Sequence, residues 1–276
     1  MRVLRVLSLG GGRQSTALYA MFAGGQITPT IDVAIFADTL EEPNWVYQNL
    51  DWLRTLGGPE ILIRSIGRLG DHLANGINST GQRFASIPAF TQNGETVGQT
   101  RRQCTKEYKL QVIQQTIRRE LLGLAPGKRV CKGTEVHQYI GFSIEEAGRA
   151  LRMAKQPAHW FVHFPLIEMT ASTEDCQVML DRIAPHKVRK SACVFCPYRN
   201  DQEWADLKEH DSVGWDRAVL VDRSLRIKGN IMSRGLDAPL YVHRSCKALD
   251  LVQLDPKAKP QMRMSFASEC LGMCGL

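Results

Sequence analysis

Val3-Leu4-Arg5-Val6-Leu7-Ser8-Leu9-Gly10-Gly11-Gly12-Arg13-Gln14-Ser15-Thr16 is the stretch whose reading decides the fold. Residues 3–7 are apolar and β-branched, which predicts a buried strand. Three glycines follow, then residues 17–22 read as a helix that stops at Gly24-Gly25. Downstream, 32–37 is a second apolar run, and a helix with Pro43 near its start takes its apolar side from Trp45, Leu50, Trp52 and Leu53. Residues 61–63 form a third short run. Strand, glycine turn, helix, strand, helix, strand predicts a Rossmann-like α/β fold on a parallel sheet. Residues 75–103 are polar and glycine-containing and read as a long loop or lid. Residues 105–122 read as helix, 137–141 and 160–164 as strands, and 173–183 and 201–226 as helices. A soft boundary near residue 170 would separate a nucleotide-binding α/β domain, 1–170, from a mostly helical, cysteine-containing region, 171–276, unless the two are one integrated domain.

Between strand and helix, glycines let backbone approach an anion closely, and the helix N-terminus offers free N–H groups and the positive end of its dipole. Ser8, Ser15 and Thr16 add hydroxyls and Arg13 a charge. The loop lacks the Gly-Lys-Ser/Thr ending of a Walker loop and, with Ser15 in place of the last glycine, does not fit the dinucleotide fingerprint. A tight turn with helix-packing glycines is the competing reading.

The 276-residue chain carries a net charge of +7 and eight cysteines. No apolar run approaches the ~20 residues of a membrane span, and residues 1–12 lack the features of a signal peptide. A cytoplasmic, reducing location is therefore expected, where thiols serve as core residues, metal ligands or redox groups. Residues 101–200 hold 17 Lys and Arg against 9 Asp and Glu, while the rest of the chain holds 18 against 19. This concentration is either a solvated face or an anion-binding region for phosphates, sulfates or a nucleic-acid backbone.

Cys193-x-x-Cys196 can turn two thiolates toward one metal, with Pro197 fixing the exit, and Cys104 and Cys176 could complete a four-thiolate site. Such a set suits a [4Fe–4S] cluster or Zn²⁺. Cys270 and Cys274 form a terminal pair, read as redox thiols, a further metal ligand or a loose end. Cys131 and Cys246 are expected to be structural, and among the histidines His243 alone stands out.

The glycine loop resembles the PP-loop, Ser-Gly-Gly-x-Asp-Ser-Thr, of the adenine nucleotide α-hydrolase superfamily, with Gly10 in place of the serine and Gln14 in place of the aspartate. Further motifs are similar, in chain order, to those of its phosphoadenosine phosphosulfate (PAPS) reductase branch. They are Phe36-Ala37-Asp38-Thr39-Leu40-Glu41-Glu42-Pro43, Arg101-Arg102-Gln103-Cys104 with Lys109, and Ile140-Gly141-Phe142-Ser143 with Glu145 and Arg149. Ser191-Ala192-Cys193-Val194-Phe195-Cys196-Pro197 and the terminal Glu269-Cys270-Leu271-Gly272-Met273-Cys274-Gly275 complete the series. The resemblance implies an enzyme that binds an adenine nucleotide, PAPS or APS or ATP with Mg²⁺, and carries out nucleotide-linked sulfur chemistry. It places Ser8, Gly10, Gly11, Gly12, Arg13, Gln14, Ser15 and Thr16 on phosphate or sulfate, with Asp38 and Thr39 near the adenosine. Arg101, Arg102 and Lys109 would clamp the anion, and Gly141, Glu145 and Arg149 would close the site. It favours iron–sulfur over zinc, makes Cys270 or Cys274 the candidate nucleophilic thiol, and implies a thioredoxin-like partner or sulfur donor. Two alternatives stand beside it: an ATP pyrophosphatase that adenylates and thiolates tRNA or DNA, and a non-catalytic zinc or nucleotide binder.

Overall fold

The computed structural model describes residues 2–84, 86–153, 156–227 and 238–255. In chain order β1 (Arg2–Leu9) leads to α1 (Arg13–Ala23), β2 (Val33–Ala37), α2 (Asn44–Thr55), β3 (Glu60–Arg64) and α3 (Leu69–Ala74). The hairpin β4 (Phe90–Asn93) and β5 (Thr96–Gln99) precedes a helical stretch in which α4 (Gln111–Gln115) lies between π-type turns at Lys106–Leu110 and Thr116–Leu121. Then come β6 (Thr134–Ile140), α5 (Ala147–Leu151), β7 (Trp160–His163), α6 (Pro165–Glu168), α7 (Thr173–Ile183), α8 (Asp201–His210) and α9 (Ser212–Ser224).

The main sheet has five strands in the order β3-β2-β1-β6-β7, every pair parallel. β1 is central: Val6 lies beside Val33 of β2 and Gln138 of β6. Connections leave β1 toward β2 on one side, and the chain returns beside it as β6 on the other. The carboxyl ends of β1 and β6 therefore flank the crevice where open α/β sheets bind ligands. Polar atoms inside the sheet are paired: Gln138 donates to Ser8 Oγ at 2.7 Å and accepts from the Trp160 indole at 2.8 Å, linking three adjacent strands. Among the described residues no helix is long and apolar enough to cross a membrane.

One apolar cluster joins Leu7, Leu18 and Leu50 around the sheet to Leu180, Trp204, Val221 and Leu249 from beyond residue 170. α7 packs on α1 and is started by Ser172, which accepts from Asp175 N–H while Asp175 accepts from Ser172 N–H. Gly141, at the end of β6, sits hard against the first turn of α1. A Cβ there would lie 2.9 Å from Ser15 Cα and Ser15 N. Gly141→Ala is thus expected to push α1 off the sheet at a cost of about 1–3 kcal/mol, read as a lower thermal midpoint; an unchanged midpoint would show that α1 yields freely.

Two stretches differ from the sequence reading. The loop expected over 75–103 contains the β4–β5 hairpin, closed by Gly94 and Glu95, with Gly94 at φ 59° as primed turns require. The single helix expected over 201–226 breaks at Asp211, whose φ of −148° is not helical. Asp211 accepts from Gly214 N–H to cap α9, and from Asn44 N–H and Nδ2 in the first turn of α2. A helix straight through Asp211 would forfeit all three bonds.

Candidate functional site

The glycine loop is shaped by what packs behind it. Gly11 adopts φ 71°, and a Cβ would lie 2.8 Å from Val46 Cγ1, so both backbone and space demand glycine. Ser15 Oγ accepts from Gly10 N–H and donates to Gly12 carbonyl, while buried Asn49 of α2 donates to Gly11 carbonyl and Thr16 Oγ1. The hydroxyls of Ser15 and Thr16 therefore hold the loop together. Ser8 is wholly buried, its hydroxyl engaged by Gln138 inside the sheet.

What the loop offers a ligand is backbone. α1 starts after Gly12 with no side-chain cap and no acidic residue in its first turn. The N–H groups of its first turn have no partner within the helix, and the dipole adds positive potential there. Half-buried Arg13 is the first helical residue. Gln14 Nε2 instead turns to Thr173 Oγ1 at 3.2 Å and Glu146 Oε2 at 3.4 Å, tying α1 to the segment after β6 and to the first residue of α7.

Residues 38–42, just after β2, carry three buried acids. Asp38 accepts from Leu40 N–H and the Tyr47 hydroxyl, and burial raises its pKa above the usual carboxylate value. Glu41 accepts from Gly70 N–H and pairs with Arg217 of α9, which also reaches Asp71. Glu42 receives Lys109 Nζ at 2.9 Å and Ser191 Oγ at 3.0 Å. Thr39 Oγ1 lies 3.2 Å from Cys193 Sγ, and Val194 N–H donates to Glu41 carbonyl. Residues 38–42 are thereby zipped to residues 191–194. That segment also backs the glycine loop, since a Cβ on Gly12 would lie 3.2 Å from Ser191 N.

The Cys193–Cys196 turn closes with a Cys196 N–H bond to Cys193 carbonyl and is braced by Arg199, which donates to Ala192 and Cys193 carbonyls. Burial pushes the Cys193 thiol well above its ordinary value, reinforced by the charge of Glu42. Burial likewise pushes Cys176, on the α7 face toward α1, to about 11. Cys104 is half-buried ahead of the Lys106 turn. Among the described residues no group of three or more His, Cys, Asp or Glu is arranged to hold a metal ion. Cys104, Cys176, Cys193 and Cys196 are thus not gathered into such a group among the described residues. Cys270 and Cys274 lie outside the described residues. Cys246 is buried as expected of a structural residue, whereas Cys131 is exposed.

Of the remaining candidates, Arg102 lies with its guanidinium 5.1 Å from the Tyr198 ring centroid, which brings the Arg101–Arg102 segment to the cysteine turn. Arg101 is exposed. Glu145 accepts from Thr173 N–H at the start of α7, and the Ser143 hydroxyl leads the hydrogen bonds that lower its pKa. Arg149 pairs with Glu146 and lies over the Phe142 ring. Gly141 serves helix packing. Asn49 escaped the sequence reading, although a lone asparagine among the apolar residues of α2 was a usable signal, and Ser191 entered it only as part of the cysteine motif, without a role of its own.

Fold and site together define an α/β chain whose parallel sheet presents a glycine-lined helix N-terminus at its topological switch point. Compared with family models, with curated proteins and with solved structures, the chain matches none.

Proposed function

We propose that the chain is an enzyme of nucleotide-linked sulfur chemistry, holding the phosphate or sulfate of an adenine nucleotide at the first turn of α1. The uncapped, acid-free start of α1 beside the switch point carries this reading. Arg13 supplies charge at the same turn. PAPS or APS is the nucleotide favoured by the sequence motifs, with ATP and Mg²⁺ the other candidate. Reduction of the sulfonucleotide would release sulfite as a dithiol, from a thioredoxin-like partner or the chain's own terminal cysteines, is oxidised to a disulfide. The thiols of half-buried Cys193 and buried Cys176, held protonated by desolvation, are poor nucleophiles as they stand.

Arg13→Glu separates this reading from a merely structural turn. A carboxylate in the first turn suits the helix dipole and should leave stability unchanged or raise it by about 0.3–1 kcal/mol. The same carboxylate repels a bound phosphate, so nucleotide affinity should fall at least about tenfold, a loss of roughly 1.4 kcal/mol. Calorimetric titration with PAPS and with Mg²⁺-ATP, beside a thermal melt, reads both signs. Wild-type protein that binds neither nucleotide overturns the proposal.

A further inference from the structure

Two histidines that no spacing in the sequence singles out meet between β6 and β7. His137 of β6 and His163, the last residue of β7, are 26 positions apart, and His137 Nδ1 lies 2.9 Å from His163 Nε2. Their ring centroids are 5.1 Å apart and their planes 6° from parallel. With the nitrogens so close, that separation is reached only when the rings meet end to end in nearly one plane. The contact is an in-line N–H···N hydrogen bond. Each ring also lies against a neighbour on the other strand, His137 on Phe161 at 5.0 Å and His163 on Tyr139 at 4.8 Å between centroids.

The neighbours assign the protons. Glu135 Oε2 lies 3.4 Å from His137 Nε2, and a carboxylate there favours a proton on that nitrogen. His137 Nδ1 is then the lone-pair side, and His163 Nε2 donates across the bridge. One added proton settles on His163 Nδ1 and leaves the bridge intact. A second can enter only at His137 Nδ1, where it sets two N–H groups and two positive charges face to face and abolishes the bond. The charged and titratable groups around the rings are Glu135, Arg5 of β1 in register with His137, and Asp32, which accepts from Arg5 N–H. Tyr139, Glu168 of α6 and His159, which leads into β7, complete them, while α1 brings only the Phe22 ring, against Tyr139. Burial, then the charge of His137, holds the His163 pKa below the ordinary histidine value, with Glu168 opposing.

We propose that the His137–His163 bridge is an acid-sensitive clip, which fastens β7 and the turn into α6 to β6 and lets go when both imidazoles are protonated. β7 is four residues long and stands last in the sheet order, so it has little else to hold it. Pro165 opens α6 two residues after His163, and the chain runs on to Thr173, which Gln14 of α1 grips. Release of residues 160–168 therefore slackens the segment that ties the start of α7 to the first turn of α1. The clip needs no ligand at the glycine loop and is independent of the nucleotide reading. In the released segment a histidine takes up protons at its ordinary value of about 6.5, whereas the closed clip resists them. The clip is thus closed above about pH 6.5 and weakens as pH falls below it. Each proton taken up on release raises the opening constant by up to about tenfold per pH unit.

The test is amide hydrogen exchange of the full chain at about pH 7.5 and about pH 5.5, with rates corrected for the intrinsic effect of pH on exchange. Protection over residues 160–168 should fall at least about tenfold at the lower pH, while that over β2 changes by less than about threefold. His163→Gln keeps a donor toward His137 but cannot form the doubly charged state, and should lose most of the acid response. His137→Phe/His163→Phe replaces the bridge with an apolar ring pair and should be equally protected at both pH values. His243→Gln removes a different histidine that burial holds below its ordinary value, and should respond to acid as the wild type does. Equal wild-type protection at both pH values, or an acid loss shared in full by β2, would overturn the clip. So would an undiminished response in whichever His163 variant folds, or a response abolished by His243→Gln.

Discussion

Asp222→Ala is expected to lower the thermal midpoint by about 10 °C. Asp222 is wholly buried on α9, and its carboxylate accepts from Val242 N–H at 2.9 Å, Leu249 N–H at 3.0 Å and Arg226 Nη2 at 2.7 Å. Val242 and Leu249 are themselves fully buried, so the one carboxylate fastens residues 240–251 onto the helix. Removing it strands two buried amides and one arginine. Breaking a buried charge pair costs about 3–5 kcal/mol, and a chain of this size loses roughly 2–4 °C per kcal/mol. Asp222→Asn keeps the shape and one acceptor oxygen and should fall between the two. A shift below about 2 °C for the alanine variant, by calorimetry or circular dichroism, would contradict the assignment of Asp222 as an anchor.

Glu42→Gln should be nearly as costly and should change ligand affinity in the opposite sense. The Glu42 side chain is fully buried and Lys109, its partner, is 22% exposed, so the pair is poorly screened. Neutralising Glu42 removes the carboxylate that Lys109 pairs with, at a cost of about 3 kcal/mol, while Asp38 stays within Coulombic reach of the ammonium. That positive charge lies beside Ser191, which backs the glycine loop. Sulfate or pyrophosphate should therefore bind several-fold more tightly to the variant even as its melting point drops. An unchanged melting point, or weaker anion binding, would show that Glu42 and Lys109 act separately.

Much of the fold could be read because its elements are locally determined. β1 and β2 are apolar runs ended by glycine or acid, and α1 follows three glycines, so pattern and structure agree to within a few residues. The break at Asp211 was invisible because its cause is tertiary: a carboxylate that caps α9 and grips Asn44, 167 residues away. Gly141 was legible as a special position but not for its reason, since sequence shows a glycine after a strand and not the helix pressed against it. Ser15, Thr16 and Gln14 show the same limit. Their chemistry suits a ligand, yet their hydroxyls and amide are largely committed to the loop, to Asn49 and to Thr173. Cysteine spacing proved least informative, because residues 104, 176, 193 and 196 can share a site only if several loops converge, and spacing carries no information about that.

The Ser8–Gln138 bond and the β1–β6 register have a temporal side. A ribosome produces β1 well before β6, its second neighbour in the sheet, which follows some 130 residues later. Segment 191–194, the wall behind the glycine loop, comes later still. Contacts of such separation are slow to form, so β1 waits with one side bare until β6 has been made. In that interval the glycine loop has no wall behind it, and the proposed anion site is incomplete until residues 191–194 have been made.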